Sequence, residues 1–209
     1  MNKAIRTLWF FILFMIPICA WAQWTSVYET GQQNSLGIGA HISHFRINDS
    51  EMNINGISVD YEFDDVLGAG IQMIMILNDF FALEFCIDNI MESDVHINRN
   101  KRKEKIGKIS TIPVTFSTRF YIPTDTILKP YLGAGMGYYF NDFENTNNTG
   151  MSLDDAFGFH YCFGADLWLN RLENTALNFD LKYLKPDTES DSLDWDALNI
   201  GFGLTYYFQ

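Results

Sequence analysis

The chain has few of the residues that build disulfide frameworks or zinc modules. It contains three cysteines and five prolines in 209 residues. Beyond Cys19 in the first apolar run, the only cysteines are Cys86 and Cys162. No CxxC or HxxxH spacing supports a metal site, so we expect two packed thiols. We place both on inward faces of strands three apart, which is too far for a disulfide across a small barrel.

Basic residues and long apolar runs are also scarce. Lysine and arginine number 14 against 26 acidic residues, a net charge of −12, and this acidity argues against nucleic-acid binding. Past the first residues, the stretch 71–77 is apolar except for Gln72, but it is far shorter than the roughly 20 residues of a membrane helix. The acidic positions 142, 144, 154 and 155 lack the spacing of a calcium loop. We therefore predict no metal and no cofactor.

The first 22 residues have the pattern of a secretory signal peptide. Lys3 and Arg6 precede an apolar run from 7 to 19, and Ala20-Trp21-Ala22 gives a small-x-small cleavage site. Cleavage there leaves 23–209 as a single barrel domain. The alternative is an uncleaved anchor, but the run is short for a span and Pro17 interrupts it.

Apolar residues alternate with small or polar ones through most of the remaining chain. At the carboxyl end, Phe202, Leu204, Tyr206 and Phe208 share one parity, the period of a strand with one apolar face. Eight such segments are predicted, at 35–42 (with a continuation to 47 left open), 66–77, 80–90, 109–121, 130–141, 157–169, 175–184 and 197–208. Most reach the length that a tilted membrane strand needs.

The connections alternate between short and long. Short ones are expected at 78–79, 123–129 and 170–174, and long polar ones near 43–65, 91–108, 142–156 and 185–196. Short periplasmic turns and long extracellular loops are typical of outer-membrane barrels. The sequence therefore predicts an all-β, eight-stranded antiparallel up-and-down transmembrane β-barrel in the outer membrane, with both termini in the periplasm.

Nearly all strand charges fall on the other, inward parity. A soluble lipocalin-like barrel would have the opposite arrangement, with apolar residues inside. Two interpretations of the charges stay open, a paired network that stabilises and blocks the barrel or the lining of a selective conduit. The charged inward residues are Glu84, Asp88, Arg119, Asp166, Asp180 and Lys182.

One strand pair carries a recognisable pattern. The run Ile112-Pro113-Val114 continues to Arg119-Phe120-Tyr121, and after a short turn residues 129–135 read KPYLGAG. This resembles the OmpW family of small outer-membrane barrels, in which a proline-led strand precedes a (K/R)PY(V/L)GAG strand. Related glycine-rich strands occur in the broader OmpX-like group. Gly133, Gly135 and Gly137 are predicted to point inward, where a narrow lumen crowds side chains.

The resemblance implies a barrel that takes up small hydrophobic molecules and releases them sideways into the membrane. The chain departs from that pattern through its inward charges and through its Phe208-Gln209 end, since barrel assembly signals usually end on the aromatic itself. We expect Phe208 still to serve the outer-membrane assembly machinery. If transport holds, an apolar lining is predicted at Ile74, Ile76, Tyr139 and Trp168; the alternative is that these residues only fill the barrel.

Two other function classes remain open. A structural or adhesive barrel would have a sealed lumen and partner-binding loops. A lipid hydrolase would need a nucleophile and a base, and His41 and Ser43 share a face, but no acid pairs convincingly with them in the sequence. We therefore predict no enzymatic activity. The basic cluster at 99–105 is a candidate contact for lipopolysaccharide phosphates, with a solvated loop as the alternative.

Overall fold

The computed structural model describes residues 35–48, 50–54, 57–99, 102–145, 154–169, 174–187 and 195–208. The predicted signal peptide at 1–22 lies outside these residues. In the described ranges no helix is long and apolar enough to cross a membrane. The described strands are β1 Ser35–Ile47, β2 Ser50–Ile54, β3 Ile57–Phe63, β4 Val66–Ile76, β5 Phe81–Arg99, β6 Arg102–Tyr121, β7 Leu128–Asn145, β8 Ala156–Trp168, β9 Thr175–Asp187 and β10 Ala197–Phe208.

Eight of these strands close into an antiparallel barrel. β4 to β10 follow one another around the wall, and β1 joins β4 on one side to β10 on the other. The closing ladder runs from Leu36 opposite Phe208 to Ile47 opposite Ala197. Closure leaves no edge among the eight barrel strands, as lipid requires, because lipid cannot satisfy unpaired backbone groups. The predicted eight-stranded barrel is confirmed, including the continuation of β1 to Ile47.

The first long connection is more ordered than the sequence suggested. We expected a polar loop at 43–65, but β1 occupies its beginning and β2 and β3 form a hairpin inside it. The end of β3 pairs with β5, with Tyr61 opposite Ile97 and Phe63 opposite Val95. The side chains of Tyr61 and Phe63 are buried. Their alternation with polar neighbours was a strand signal that the overall polarity of the segment concealed.

The second long connection is also a correction. The predicted loop at 91–108 is a continuous ladder, because β5 extends to Arg99 and β6 begins at Arg102. Two register shifts interrupt that ladder, between Ile90 and Ser93 and between Val95 and His96. The first shift changes which residues of β5 face inward, and the second does the same on β6. A strict period of two therefore fails there. The polar composition of 91–108 therefore belongs to strands that extend beyond the membrane and not to a loop.

The short turns and both termini of the barrel lie at one end. At the β4–β5 turn the Asn78 side chain accepts hydrogen bonds from the backbone N–H groups of Phe80 and Phe81, a local bond typical of asparagine turns. Phe81 and Phe120 pack edge to face beside this turn, with ring centroids 5.3 Å apart. Barrels of this kind place such turns in the periplasm and an aromatic girdle at the interface.

The outer face is apolar along every barrel strand. In β10 the burial alternates residue by residue, and the exposed set includes Phe202, Leu204, Tyr206 and Phe208. Elsewhere Ile42 is 67% and Leu67 60% exposed. Such a surface would be costly in water, whereas in a bilayer it lies against lipid tails.

Candidate functional site in the barrel interior

The interior has three layers along the barrel axis. Toward the long connections lies an apolar set that we call the extracellular cluster; its buried members are Phe45, Ile47, Tyr61, Phe63, Val66, Ile90, Val95, Ile106, Ile109, Tyr139, Leu184, Trp195 and Ala197. Toward the short turns lies the periplasmic cluster of Ile74, Ala82, Tyr121, Tyr131, Cys162, Trp168, Ala176 and Tyr207. Between them lies the central charged layer, which comprises Glu84, Asp88, Arg119, Asp166, Asp180 and Lys182.

Arg119 is the hub of the central charged layer. Its side chain and that of Glu84 are each 1% exposed, and Arg119 Nη2 donates to Glu84 Oε2. Lys182 Nζ donates to the other oxygen of Glu84 over 3.1 Å. A carboxylate between two cations, all three withdrawn from solvent, is stabilised only because each charge has its partner.

Two further carboxylates surround Arg119. Asp166 Oδ1 lies 3.5 Å from Nη1, and Asp180 Oδ2 lies 3.8 Å from Nη2. The Tyr121 hydroxyl donates to Asp166 over 2.6 Å, and the Tyr131 hydroxyl donates to Asp180 over 2.8 Å. The Tyr131 ring also lies under the guanidinium carbon, 4.3 Å from it, which adds a cation–π contact.

Asp88 belongs to a different part of the layer. Its Oδ1 lies 2.5 Å from His41 Nε2, and its Oδ2 accepts a hydrogen bond from the Cys86 thiol over 3.2 Å. It is 4% exposed. The network around Arg119 and Lys182 thus holds three of the four predicted carboxylates, while Asp88 contacts histidine and thiol.

The four apolar residues of the predicted lining do not form one surface. Ile74, Ile76 and Trp168 belong to the periplasmic cluster or pack against it. Tyr139 belongs to the extracellular cluster, where it packs at 90° against Trp195 with centroids 5.7 Å apart. The central charged layer separates Tyr139 from the other three. An apolar path along the axis would have to cross buried charges.

The three glycines of the KPYLGAG region stand where a side chain would collide. A Cβ at Gly133 would lie 2.5 Å from Cys162 Sγ, and one at Gly137 would lie 2.8 Å from Thr115 Cγ2. At Gly135 a Cβ would meet the carbonyl oxygen of Phe116 and lie 2.7 Å from the His160 ring. This crowding is a physical reason for the glycines that does not depend on any ligand.

Two polar elements of the interior were missed or misjudged from sequence. Tyr121 and Tyr131 were not predicted as partners of the charges, although inward parity beside acidic positions was an available signal. His41 does have an acid partner, Asp88, which corrects our expectation that no acid would pair with it. Ser43 Oγ is buried without a hydrogen-bond partner, so these groups do not make a serine–histidine–acid arrangement of the kind a hydrolase needs.

Two of the cavities in the described interior differ greatly in size. A cavity of about 630 Å³ opens at the short-turn end and is lined by Trp168, Tyr121, Asp79, Asp125 and Lys129 among others. A cavity of about 20 Å³ lies within the central layer, beside His41, Ser43, Asp180 and Lys182. The first is a wide periplasmic mouth; the second has room for about one water molecule.

A closed eight-stranded barrel with an apolar outer belt, an aromatic girdle and a polar centre defines the protein as an outer-membrane β-barrel. The barrel contacts membrane lipids through that belt. The model of the OmpW family matches residues 20–197, and the chain belongs to the OmpW family. The resemblance seen in the KPYLGAG region is thereby confirmed.

The comparisons with individual proteins agree with this assignment. The uncharacterized outer-membrane protein y4mB of Sinorhizobium fredii is 29% identical over 117 residues, which is 49% of this chain and 50% of that protein. The match thus spans about half the length of this curated relative. OprG from Pseudomonas aeruginosa has the same fold at TM-score 0.67 and 18% identity, over 85% of this chain and 97% of OprG. Outer membrane protein W of E. coli aligns at TM-score 0.54 and 18% identity, over 86% of this chain and all of that protein.

Proposed function

We propose that the protein is a passive conduit for small hydrophobic molecules, which enter the extracellular half of the barrel and leave sideways through its wall. One observation carries the proposal: an apolar interior on the extracellular side stands directly over a buried charged layer. The resemblance to the OmpW family, which implies uptake of such molecules, supports it.

The central charged layer argues against passage along the axis. Glu84, Arg119 and Asp166 are each at most 1% exposed, so solvent reaches them from neither end. An apolar solute crossing this layer would have to separate charges that lose their partners in a low-dielectric space, at a cost of several kcal/mol. A hydrophobic molecule in the extracellular half therefore has an easier route through the wall.

The wall has an interruption beside the extracellular cluster. The β5–β6 ladder pairs Ile87 with Val114 and Ile90 with Thr111, but the two intervening positions on each strand are not paired with each other across this ladder. Pro113 stands in this gap, and a proline has no N–H to donate to a ladder. The register shift after Ile90 follows immediately. We call the stretch from Asp88 to Ser93, with its β6 counterpart, the β5–β6 seam.

The seam joins the apolar interior to the lipid face. Ile90 and Ile109 are buried in the extracellular cluster, whereas Met91 and Ile112 on the same two strands face outward and are 57% and 44% exposed. A solute passing between the strands would thus meet apolar side chains on both sides. That continuity favours the seam as the exit.

Uptake can be tested in liposomes whose outer leaflet carries lipopolysaccharide, which slows hydrophobic molecules. We expect the barrel to speed entry of a small hydrophobic dye and to leave entry of a small sugar unchanged. Pro113→Ala restores an N–H at the seam and should slow dye entry severalfold. The matched control is Pro130→Ala, which changes a proline near the short-turn end of β7 and should leave entry unchanged.

Heat-modifiable gel migration of each variant shows that it has folded. A folded barrel that speeds entry of neither compound would exclude the conduit and favour the adhesive alternative. A folded Pro113→Ala barrel as fast as the original chain would exclude the seam as the exit.

Contacts with envelope partners are proposed on narrower grounds. Arg99 and Arg102 form the last described ladder pair of the β5–β6 hairpin, so the described members of the basic cluster at 99–105 lie at the far ends of its two strands. This position supports contact with lipopolysaccharide phosphates. At the other end, Phe208 faces outward and is 50% exposed, where the outer-membrane assembly machinery can reach the last strand.

A further inference from the structure

A cluster of three potential metal ligands lies inside the barrel, where Asp88 of the central charged layer meets His41 and Cys86. His41 Nε2 is 2.5 Å from Asp88 Oδ1, Cys86 Sγ is 3.2 Å from Asp88 Oδ2, and Cys86 Sγ is 4.0 Å from His41 Nε2. All three ligand atoms lie within 4.8 Å of one another. Imidazole, thiolate and carboxylate are the donors that Zn²⁺ takes in proteins, and its ligand atoms stand roughly 3–4 Å apart.

The strand register explains how these residues meet. His41 on β1 is opposite Gly70 on β4, and Gly70 is in turn opposite Asp88 on β5. Two side chains on strands that are not neighbours can touch only because the position between them has none. A Cβ at Gly70 would lie 2.7 Å from His41 Cε1 and would also meet Asp88 Oδ1. Cys86 shares the face of Asp88, two residues earlier on β5.

The surroundings add a second, independent indication. Ser43 is 3% exposed, its hydroxyl has no hydrogen-bond partner, and it borders the 20 Å³ cavity together with His41. Of the three proposed ligands, His41 borders this cavity, which has room for about one water molecule; an ion held by three side chains takes a water as its fourth ligand.

The charge balance of the layer also favours a cation. In its described part, four carboxylates (Glu84, Asp88, Asp166 and Asp180) face two permanent cations, Arg119 and Lys182. Lys182 is close enough to Cys86 and Asp88 to oppose a further positive charge there. However, its ammonium group is bonded to Glu84, and the excess of carboxylates remains.

The geometry points to a binding site for a divalent transition-metal ion, of the Zn²⁺ class, held by His41, Cys86 and Asp88 inside the barrel. Binding displaces the thiol proton of Cys86 and requires that His41 present a ring nitrogen without a proton to the ion, and it opens the short His41–Asp88 contact to the spacing of two ligands on one ion. The ion links β1 to β5 across β4. Sequence spacing could not show this site, because its ligands come from two strands in register.

Cobalt substitution tests the site on the folded full-length barrel in detergent. The barrel is refolded under reducing conditions with Co²⁺, so that access to a buried site is not limiting, and excess ion is removed. We expect one Co²⁺ per chain, with a thiolate-to-cobalt absorption band and the visible bands of tetrahedral coordination, and loss of both when Zn²⁺ is added.

Three variants assign the ligands. Cys86→Ser should lose the thiolate band, and His41→Gln should weaken Co²⁺ binding at least tenfold. Cys162→Ser, which changes the other buried thiol, should keep both the band and the stoichiometry. Heat-modifiable migration shows that each variant is folded. A folded original chain without the thiolate band, or a band that survives Cys86→Ser, would overturn the proposal.

Discussion

The extracellular cluster and the central charged layer share strands β5, β6 and β9, yet they have opposite chemistry. The change occurs between adjacent inward positions: Asp88 precedes Ile90 on β5, and Lys182 precedes Leu184 on β9. Two residues of a strand span only about 7 Å. The interior therefore changes from charged to apolar over about one side-chain layer, and in the proposed conduit this boundary would set how far a hydrophobic molecule can descend.

The comparison also shows what each region contributes. The central layer holds its charges by pairing, so its side chains are fixed by one another. The extracellular cluster is held by apolar packing alone, and it adjoins the interrupted β5–β6 seam. The first region fills the centre of the barrel with paired charges, and the second is the part in which the proposed conduit would receive and release its solute.

Removing the hub of the central layer should have the largest effect. Arg119→Ala leaves Glu84, Asp166 and Asp180 buried without their common cation, and breaking a buried pair in this way costs about 3–5 kcal/mol. We expect a marked fall in the melting temperature of the barrel, measured as the temperature at which its gel migration changes from that of the folded to that of the unfolded chain. Lys108→Ala is the control, because it breaks an exposed pair with Glu92 and should leave the melting temperature unchanged. Equal stability of the two variants would show that the buried layer does not hold the barrel together.

A smaller loss of stability is expected from a substitution that only crowds the interior and breaks no charge pair. Gly135→Ala places a methyl group against the His160 ring and the wall, and overpacking of this kind costs about 1–3 kcal/mol. Gly201→Ala is the matched control, since its nearest contact would be Ser43 Oγ at 3.5 Å. Thermal unfolding of both variants should show a loss only for Gly135→Ala. A loss of similar size in Gly201→Ala would show that the small cavity beside Gly201 has no room for a methyl group.

Substitutions at Tyr139 and Trp168 test which side of the central charged layer lies on the proposed solute path. Tyr139→Asn places an amide in the extracellular cluster and should reduce dye entry severalfold. Trp168→Asn makes a comparable change on the periplasmic side of the charged layer and should leave dye entry unchanged in a barrel that still folds. Dye entry into lipopolysaccharide-coated liposomes measures both. A greater loss at Trp168 would place the solute path along the axis.

Much of this architecture could be predicted from sequence, because a period of two separates inward from outward residues along each strand. That period identified Arg119 and Glu84 as inward. It could not show how far along the axis a residue lies, which is why Tyr139 was grouped with Trp168. It also failed beyond Ile90, where register shifts move the parity. The contact of His41 with Asp88 was out of reach, since it depends on the register of three strands and on the missing side chain of Gly70.

The most direct test of the account closes the seam reversibly. Asn89 and Ile112 are opposite positions in the unpaired stretch, and both face outward. In a chain carrying Cys86→Ser and Cys162→Ser, the pair Asn89→Cys and Ile112→Cys allows a disulfide across the seam. The matched control is the pair Leu83→Cys and Thr118→Cys, at positions that already pair in the same two strands nearer the short turns.

Dye entry is then measured in the same sample before and after reduction. We predict that oxidation of the seam pair abolishes entry, that reduction restores it, and that the control pair has no effect in either state. Entry that continues unchanged through an oxidised seam would contradict sideways release between β5 and β6.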